Sequence, residues 1–141
     1  MRRFYQESWQ GIPFTSFSHI SFFHLAEPKF YAVFYEELFR RCKNWEDLPS
    51  VWRENKRTDA KWLIGQLRAK LAQDPVGCMD PVRVLSIGSG VGYMEKILLE
   101  EMPELELHVN EPSTVGMKWL REYIPSDRIY IGLPPMCLPS D

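Results

Sequence analysis

The chain has 141 residues, of which 45% are hydrophobic and 26% charged, with a formal net charge of -2. That length suits one domain with a real core rather than two, and the composition is that of an ordinary globular protein. The slight acidic excess excludes a general polyanion-binding surface, because no surplus of Lys and Arg exists to release counterions from a nucleic acid.

The first residues, Met1-Arg2-Arg3-Phe4-Tyr5-Gln6-Glu7, are charged but are not followed by the unbroken apolar core and small-residue cleavage site of a secretory leader. Ile20 to Ala26 is interrupted by Ser21 and His24 and is far too short to cross a bilayer. A soluble, cytoplasmic protein with no membrane partner is expected. Residues 1–26 mix Ser, Phe, His and Gly without periodicity and read as an irregular, packed arm. Pro28 suits the first turn of a helix running to about Cys42, with Phe30, Tyr31, Val33, Phe34 and Leu38 on a broad buried face. Arg40, Arg41 and Lys43 then form a solvated helix end. Asn44 to Asn55 reads as a turn or a short helical piece. Thr58 is the expected N-cap of a second helix, with Asp59 in its first turn and an apolar stripe of Ala60, Leu63, Ile64, Leu67 and Leu71. Two proline-bearing turns, Asp74-Pro75-Val76-Gly77 and Asp80-Pro81, mark a boundary. It separates a helical N-terminal region, 1–80, from a unit of different character, 81–141.

In that unit, Val82 to Ile87 is an apolar run expected of a strand buried on both faces of a parallel sheet. A glycine-rich turn, Gly88 to Gly92, leads to a helix over Tyr93 to Met102. Leu105 to Asn110 is a second strand, Ser113 caps a further helix carrying Val115, Trp119, Leu120 and Tyr123, and Arg128 to Ile131 is a third strand. Strand, helix, strand, helix, strand is half of a doubly wound α/β sheet, and right-handed crossovers predict the spatial order 3-2-1. The fold class is thus α/β: a partial doubly wound parallel sheet preceded by an α-helical region. Cys42, Cys78 and Cys137 are odd in number and without metal or redox spacing, which fits reduced thiols. His19, His24 and His108 share no metal spacing either, and no metal site is expected.

The chemistry is concentrated in Val84-Leu85-Ser86-Ile87-Gly88-Ser89-Gly90-Val91-Gly92-Tyr93-Met94-Glu95. A glycine turn between strand and helix lets backbone approach a ligand, and the helix start beyond it offers free N–H groups. The spacing is Gly-x-Gly-x-Gly. A dinucleotide fold needs its third glycine where Tyr93 stands, so NAD and FAD are disfavoured. No Gly-Lys-Ser/Thr follows, so a phosphate-cradling loop is absent. Glu111 ends the second strand on the order of 20 residues past the glycines, the spacing at which an acid meets ribose hydroxyls.

These residues resemble class I S-adenosylmethionine-dependent methyltransferases. Val84 to Gly92 is similar to that family's first motif, and His108-Val109-Asn110-Glu111-Pro112-Ser113 to its second. The resemblance covers Val82 to about Leu138. It implies S-adenosyl-L-methionine as cofactor, with Gly88, Ser89, Gly90 and Gly92 beneath its methionyl and ribose parts, Glu111 on the ribose hydroxyls and Pro112 beside the adenine. Ser86 and Tyr93 flank the same loop. Two positions depart from the pattern: Ser86 stands where the family often has an acid two residues before the first glycine, and Leu133 replaces the acid expected after the third strand. The family's sheet has the order 3-2-1-4-5-7-6, and its fourth strand carries groups that meet the substrate. The chain supplies the first three, so a truncated product or fragment is expected, with strand 82–87 left as an apolar edge open to self-association. The acceptor, a small molecule by expectation, and the catalytic residue are not legible. Trp45, Trp52, Trp62 and Phe34 read as packing first and as a substrate wall second. The alternative function is a catalytically inactive, methyltransferase-like module that persists through binding or interaction.

Overall fold

The computed structural model describes residues 8–9, 12–13, 28–73 and 81–138, and the side chains of 31–73 and 81–138. The proline turns of 74–80, Cys78, His19, His24 and the last three residues lie outside them. Within the segment expected to be irregular, β1 (Ser8–Trp9) and β2 (Ile12–Pro13) form a short antiparallel pair in which Trp9 opposes Ile12. Both are strand-forming types, and two residues per strand are too few to leave a visible alternation.

Helix α1 spans Pro28–Arg41, starting on its proline as expected. It buries Phe34, Tyr35 and Leu38, and Cys42 just beyond it, while Arg40 and Arg41 pair with Glu37 at the surface. Asn44 then caps a 3-10 turn over Trp45–Asp47, its Oδ1 accepting from the N–H groups of Glu46 and Asp47. Helix α2 spans Ser50–Gln73, beginning eight residues before the expected cap at Thr58. The Pro49 carbonyl already accepts the Arg53 N–H at 3.0 Å, and the Thr58 hydroxyl donates back to the Glu54 carbonyl at 3.0 Å. A threonine bonded to the preceding turn sits inside a helix instead of opening one.

The parallel sheet consists of β3 (Arg83–Ile87), β4 (Glu106–Glu111) and β5 (Ile129–Ile131), with β4 between the other two. Helix α3 (Tyr93–Glu101) connects β3 to β4 and packs along α2. From β4 to β5 the chain runs through three 3-10 turns, Gly116–Lys118, Leu120–Glu122 and Ser126–Arg128; the first two, neither with a side-chain cap, stand where the Ser113-capped helix was expected. The Ser113 N–H is bonded to the Glu111 carboxylate, and Pro125 ends the stretch. Trp119, Leu120 and Ile124 still reach the core, whereas Tyr123 is exposed.

Strand alternation splits the sheet into unlike faces. Val84, Leu107, Val109, Ile129 and Ile131 join the core with Met117, Trp119, Leu120 and the aromatic face of α1. A second cluster, built on Ile64, Leu98, Met102 and Leu105, seals α2 against α3. The opposite face is open: Leu85 is 43% and Ile87 60% exposed. The expectation of a first strand buried on both faces is therefore corrected. Among the described residues β3 is an edge, and helices cover one side only. On the open face His108 stacks on Tyr130, and its two ring nitrogens meet the Tyr130 hydroxyl and a Glu106 carboxylate oxygen, each at 2.9 Å.

Candidate functional site

The site forms where β3 and β4 end side by side. The carbonyl of Asn110 accepts the N–H groups of both Gly88 and Ser89, at 2.9 and 3.0 Å, which pins the glycine turn to the neighbouring strand. The turn closes as the Gly92 N–H bonds to the Ser89 carbonyl, and α3 begins as the Lys96 N–H bonds to Gly92. Gly88, Gly90 and Gly92 have φ of +72°, +60° and +72°, a left-handed backbone that side chains disfavour.

Their surroundings differ. A Cβ at Gly88 would meet nothing within 4 Å, so this position is open to a ligand. At Gly90 it would come within 3.2 Å of the Tyr35 hydroxyl, and at Gly92 within 2.1 Å of Leu120 Cγ. Gly92 thus serves close packing. The buried indole of Trp45 fixes the turn from behind, its Nε1–H donating to the Val91 carbonyl at 2.8 Å.

Glu111 ends β4 and is 2% exposed. Its Oε2 accepts the Gly90 N–H at 2.9 Å, and its Oε1 accepts the Ser113 N–H at 3.2 Å. Burial pushes its carboxyl up from the ordinary range, while those N–H groups and the Tyr35 hydroxyl pull it back. A second buried acid lies at the start of α3. Glu95 is 1% exposed, accepts the Ser86 hydroxyl on Oε1, and is also held above the ordinary carboxyl range by burial.

A cavity of about 330 Å³ opens against this turn. Ser86, Gly88, Ser89, Gly90 and Tyr93 form its loop side with Glu95, and Tyr31, Phe34, Tyr35, Trp52 and Lys56 of α1 and α2 form the opposite wall. Of the residues singled out from sequence, these five loop-side positions share the cavity, whereas Gly92, Glu111 and Pro112 do not line it. Tyr93 is also core, 4% exposed, with the Arg57 guanidinium 5.9 Å from its ring centre. Of the aromatics weighed as a substrate wall, Phe34 and Trp52 line the cavity, Trp45 packs, and Trp62 is exposed. Leu133 is exposed on the turn after β5.

Two residues of this site have no local sequence signal. Tyr35 looks like one more apolar position of α1 until the fold brings it to Glu111. Glu95 reads as a favourable first-turn acid, and only the packing of α3 on β3 buries it at Ser86. Among the described residues no group of three or more His, Cys, Asp or Glu side chains is arranged to hold a metal ion. No helix there is long and apolar enough to cross a membrane. No family model, curated protein or solved structure matches the chain.

Proposed function

We propose that this chain carries the cofactor-binding half of a class I S-adenosylmethionine-dependent methyltransferase acting on a small-molecule acceptor. One observation carries the reading: the Glu111 carboxylate ends the middle strand and bonds to the Gly90 N–H of the glycine turn that ends its neighbour. Ligands of open parallel sheets bind beyond the carboxyl ends of the strands, where this acid and this turn meet. In the proposed architecture the sheet runs 3-2-1 from β5 to β3 in a doubly wound fold, with a further strand beside β3 and helices on the face that is open here.

The loop side of the cavity fits the cofactor, while Glu111, 2% exposed and outside the lining, has to be uncovered to meet a ribose. Gly88 leaves room for close backbone approach. Glu95, bonded to Ser86, supplies from α3 the carboxyl that the family often places at position 86. Gly88, Ser89 and Gly90 form the cradle, with Gly92 packed behind them on Leu120, Glu111 takes the ribose hydroxyls, and Pro112 stands beside the adenine. When bound, S-adenosylmethionine supplies a methyl group on an electrophilic sulfonium. The chain's part is to hold and orient, which is most of what methyl transfer asks of a protein.

A second reading, an inactive module that persists through interaction, is favoured by the open sheet face carrying Leu85 and Ile87 and by the edge position of β3, through which copies would pair. Calorimetric titration with S-adenosylmethionine and S-adenosylhomocysteine, on the parent and on Glu111→Ala, separates the two. The cofactor reading expects binding that weakens by about 1–3 kcal/mol in the variant, the scale for leaving buried polar groups unpaired. A folded parent that binds neither compound refutes it.

A further inference from the structure

Glu95 is a buried acid without a countercharge in contact. Its Oε1 accepts the Ser86 hydroxyl, and among the described residues it forms no ion pair. A carboxylate taken out of water in that state is costly unless a cation meets it. Glu95 also borders the cavity instead of the sealed core. On the wall that α2 contributes stands Lys56, whose charge acts on Glu95 without touching it. The Lys56 ammonium lies 3.5 Å from Asp59 in an exposed pair, and a pair so open to water gives way readily to a better partner. Helices α2 and α3 are locked together by Ile64, Leu98, Met102 and Leu105, so the spacing of base and acid is fixed. A lone ammonium in this cavity would be repelled by Lys56, and a lone carboxylate by Glu95. An α-amino acid carries both groups on one carbon and meets both side chains at once.

We propose that the cavity seats the α-amino-acid group of its ligand between Glu95, which takes the ammonium, and Lys56, which takes the carboxylate. The inference rests on the proposed cofactor reading and deepens it. The zwitterion is the methionyl end of the cofactor, and the helical region, on the far side of the sequence boundary from the glycine turn, supplies one of its binding residues. Tyr31, Phe34 and Trp52 line the same cavity, and their apolar rings strengthen both charged contacts by keeping water away. Because acid and base stand on separate helices, the site selects a ligand that keeps both groups at one end. A nucleoside without an amino-acid end leaves Glu95 uncompensated and Lys56 with Asp59.

The test is calorimetric titration of the full chain and of Lys56→Met, Glu95→Gln and Asp59→Asn. The ligands are S-adenosylhomocysteine, its decarboxylated analogue, which keeps the amine alone, and methylthioadenosine, which has neither group. The parent is expected to bind S-adenosylhomocysteine roughly 10-fold or more tightly than methylthioadenosine, the scale of one charge-assisted hydrogen bond gained. Lys56→Met is expected to lose that factor for S-adenosylhomocysteine and to bind the decarboxylated analogue at least as well as the parent does. Glu95→Gln is expected to weaken both amine-bearing ligands and to leave methylthioadenosine unchanged. Asp59→Asn removes the resting partner of Lys56 and is expected to keep S-adenosylhomocysteine binding. No loss in Lys56→Met, an equal loss for the decarboxylated analogue, or the same loss in Asp59→Asn overturns the Lys56 assignment. Unchanged amine binding in Glu95→Gln overturns the Glu95 assignment. A parent that binds all three ligands alike overturns the amino-acid seat and leaves the cofactor reading standing. A folded parent that binds none of them overturns both.

Discussion

Gly92 and Gly88 share a φ of +72°, yet replacing them by alanine is expected to have unequal consequences. The left-handed backbone costs an L-residue about 1–2 kcal/mol at either position, and the stiffer unfolded chain returns roughly 0.4–1 kcal/mol in both. These contributions cancel in the comparison. What remains is the space for the methyl group, which meets nothing within 4 Å at Gly88 but three carbons of Leu120 at 2.1–2.4 Å at Gly92. Leu120 is fully buried in the main core and is not the free end of a surface side chain, so relief requires repacking. Overpacking of that kind costs about 1–3 kcal/mol. Gly92→Ala is therefore expected to be less stable than Gly88→Ala by about 1–3 kcal/mol in chemical denaturation followed by circular dichroism. A double-mutant cycle with Leu120→Ala should show coupling between positions 92 and 120 and none between 88 and 120. Equal losses for the two glycine variants, or no coupling at 92, would refute the argument that Gly92 is a packing glycine and Gly88 a ligand-facing one.

Two further outcomes follow from the buried acid and the open face. Burial holds Glu95 above the ordinary carboxyl range, so the native state binds its proton more tightly than the unfolded chain, and the stability this lends is lost as pH rises from about 4.5 through the raised value. Glu95→Gln keeps a partner for Ser86 without the charge; its stability relative to the parent should rise with pH across that window, and a pH-independent difference would count against a buried titrating carboxyl. If copies pair along β3, sedimentation of the parent should be concentration-dependent, and the double substitution Leu85→Glu, Ile87→Glu should abolish this while the core keeps its stability; a parent that sediments as a monomer throughout removes the edge-pairing proposal.

Legibility in the sequence followed the range of the forces involved. Helix α1 could be placed from Pro28 and its broad apolar face, and β3, the glycine turn, α3 and β4 from apolar runs punctuated by glycine and proline. All are local signals. The start of α2 was misjudged because Thr58 carries the chemistry of a cap, and only the helical turn before it shows that its hydroxyl is already used at Glu54. The segment after β4 resembles a helix in its apolar spacing, but the chain there is wound into short 3-10 turns without a side-chain cap. At the site, the loop glycines and Glu111 were visible from spacing. Tyr35 and Glu95 were not, since each matters through a neighbour distant in sequence and, for Tyr35, across the boundary between helical region and sheet.

The last two residues of β4 join these pieces because strand geometry sends them to opposite faces. Asn110 points to the open side, where its Nδ2 donates to the carbonyls of Tyr130 and Gly132 and lies 3.2 Å from Cys137 Sγ, gathering the turn after β5. Its backbone carbonyl at the same time holds Gly88 and Ser89. Glu111, one residue on, points to the helical side and accepts the N–H groups of Gly90 and Ser113. The glycine turn is thus pinned twice, once by a backbone carbonyl and once by a buried carboxylate. Removing the Glu111 carboxylate would therefore free the Gly90 N–H while the Asn110 carbonyl still holds Gly88 and Ser89 in register with the sheet.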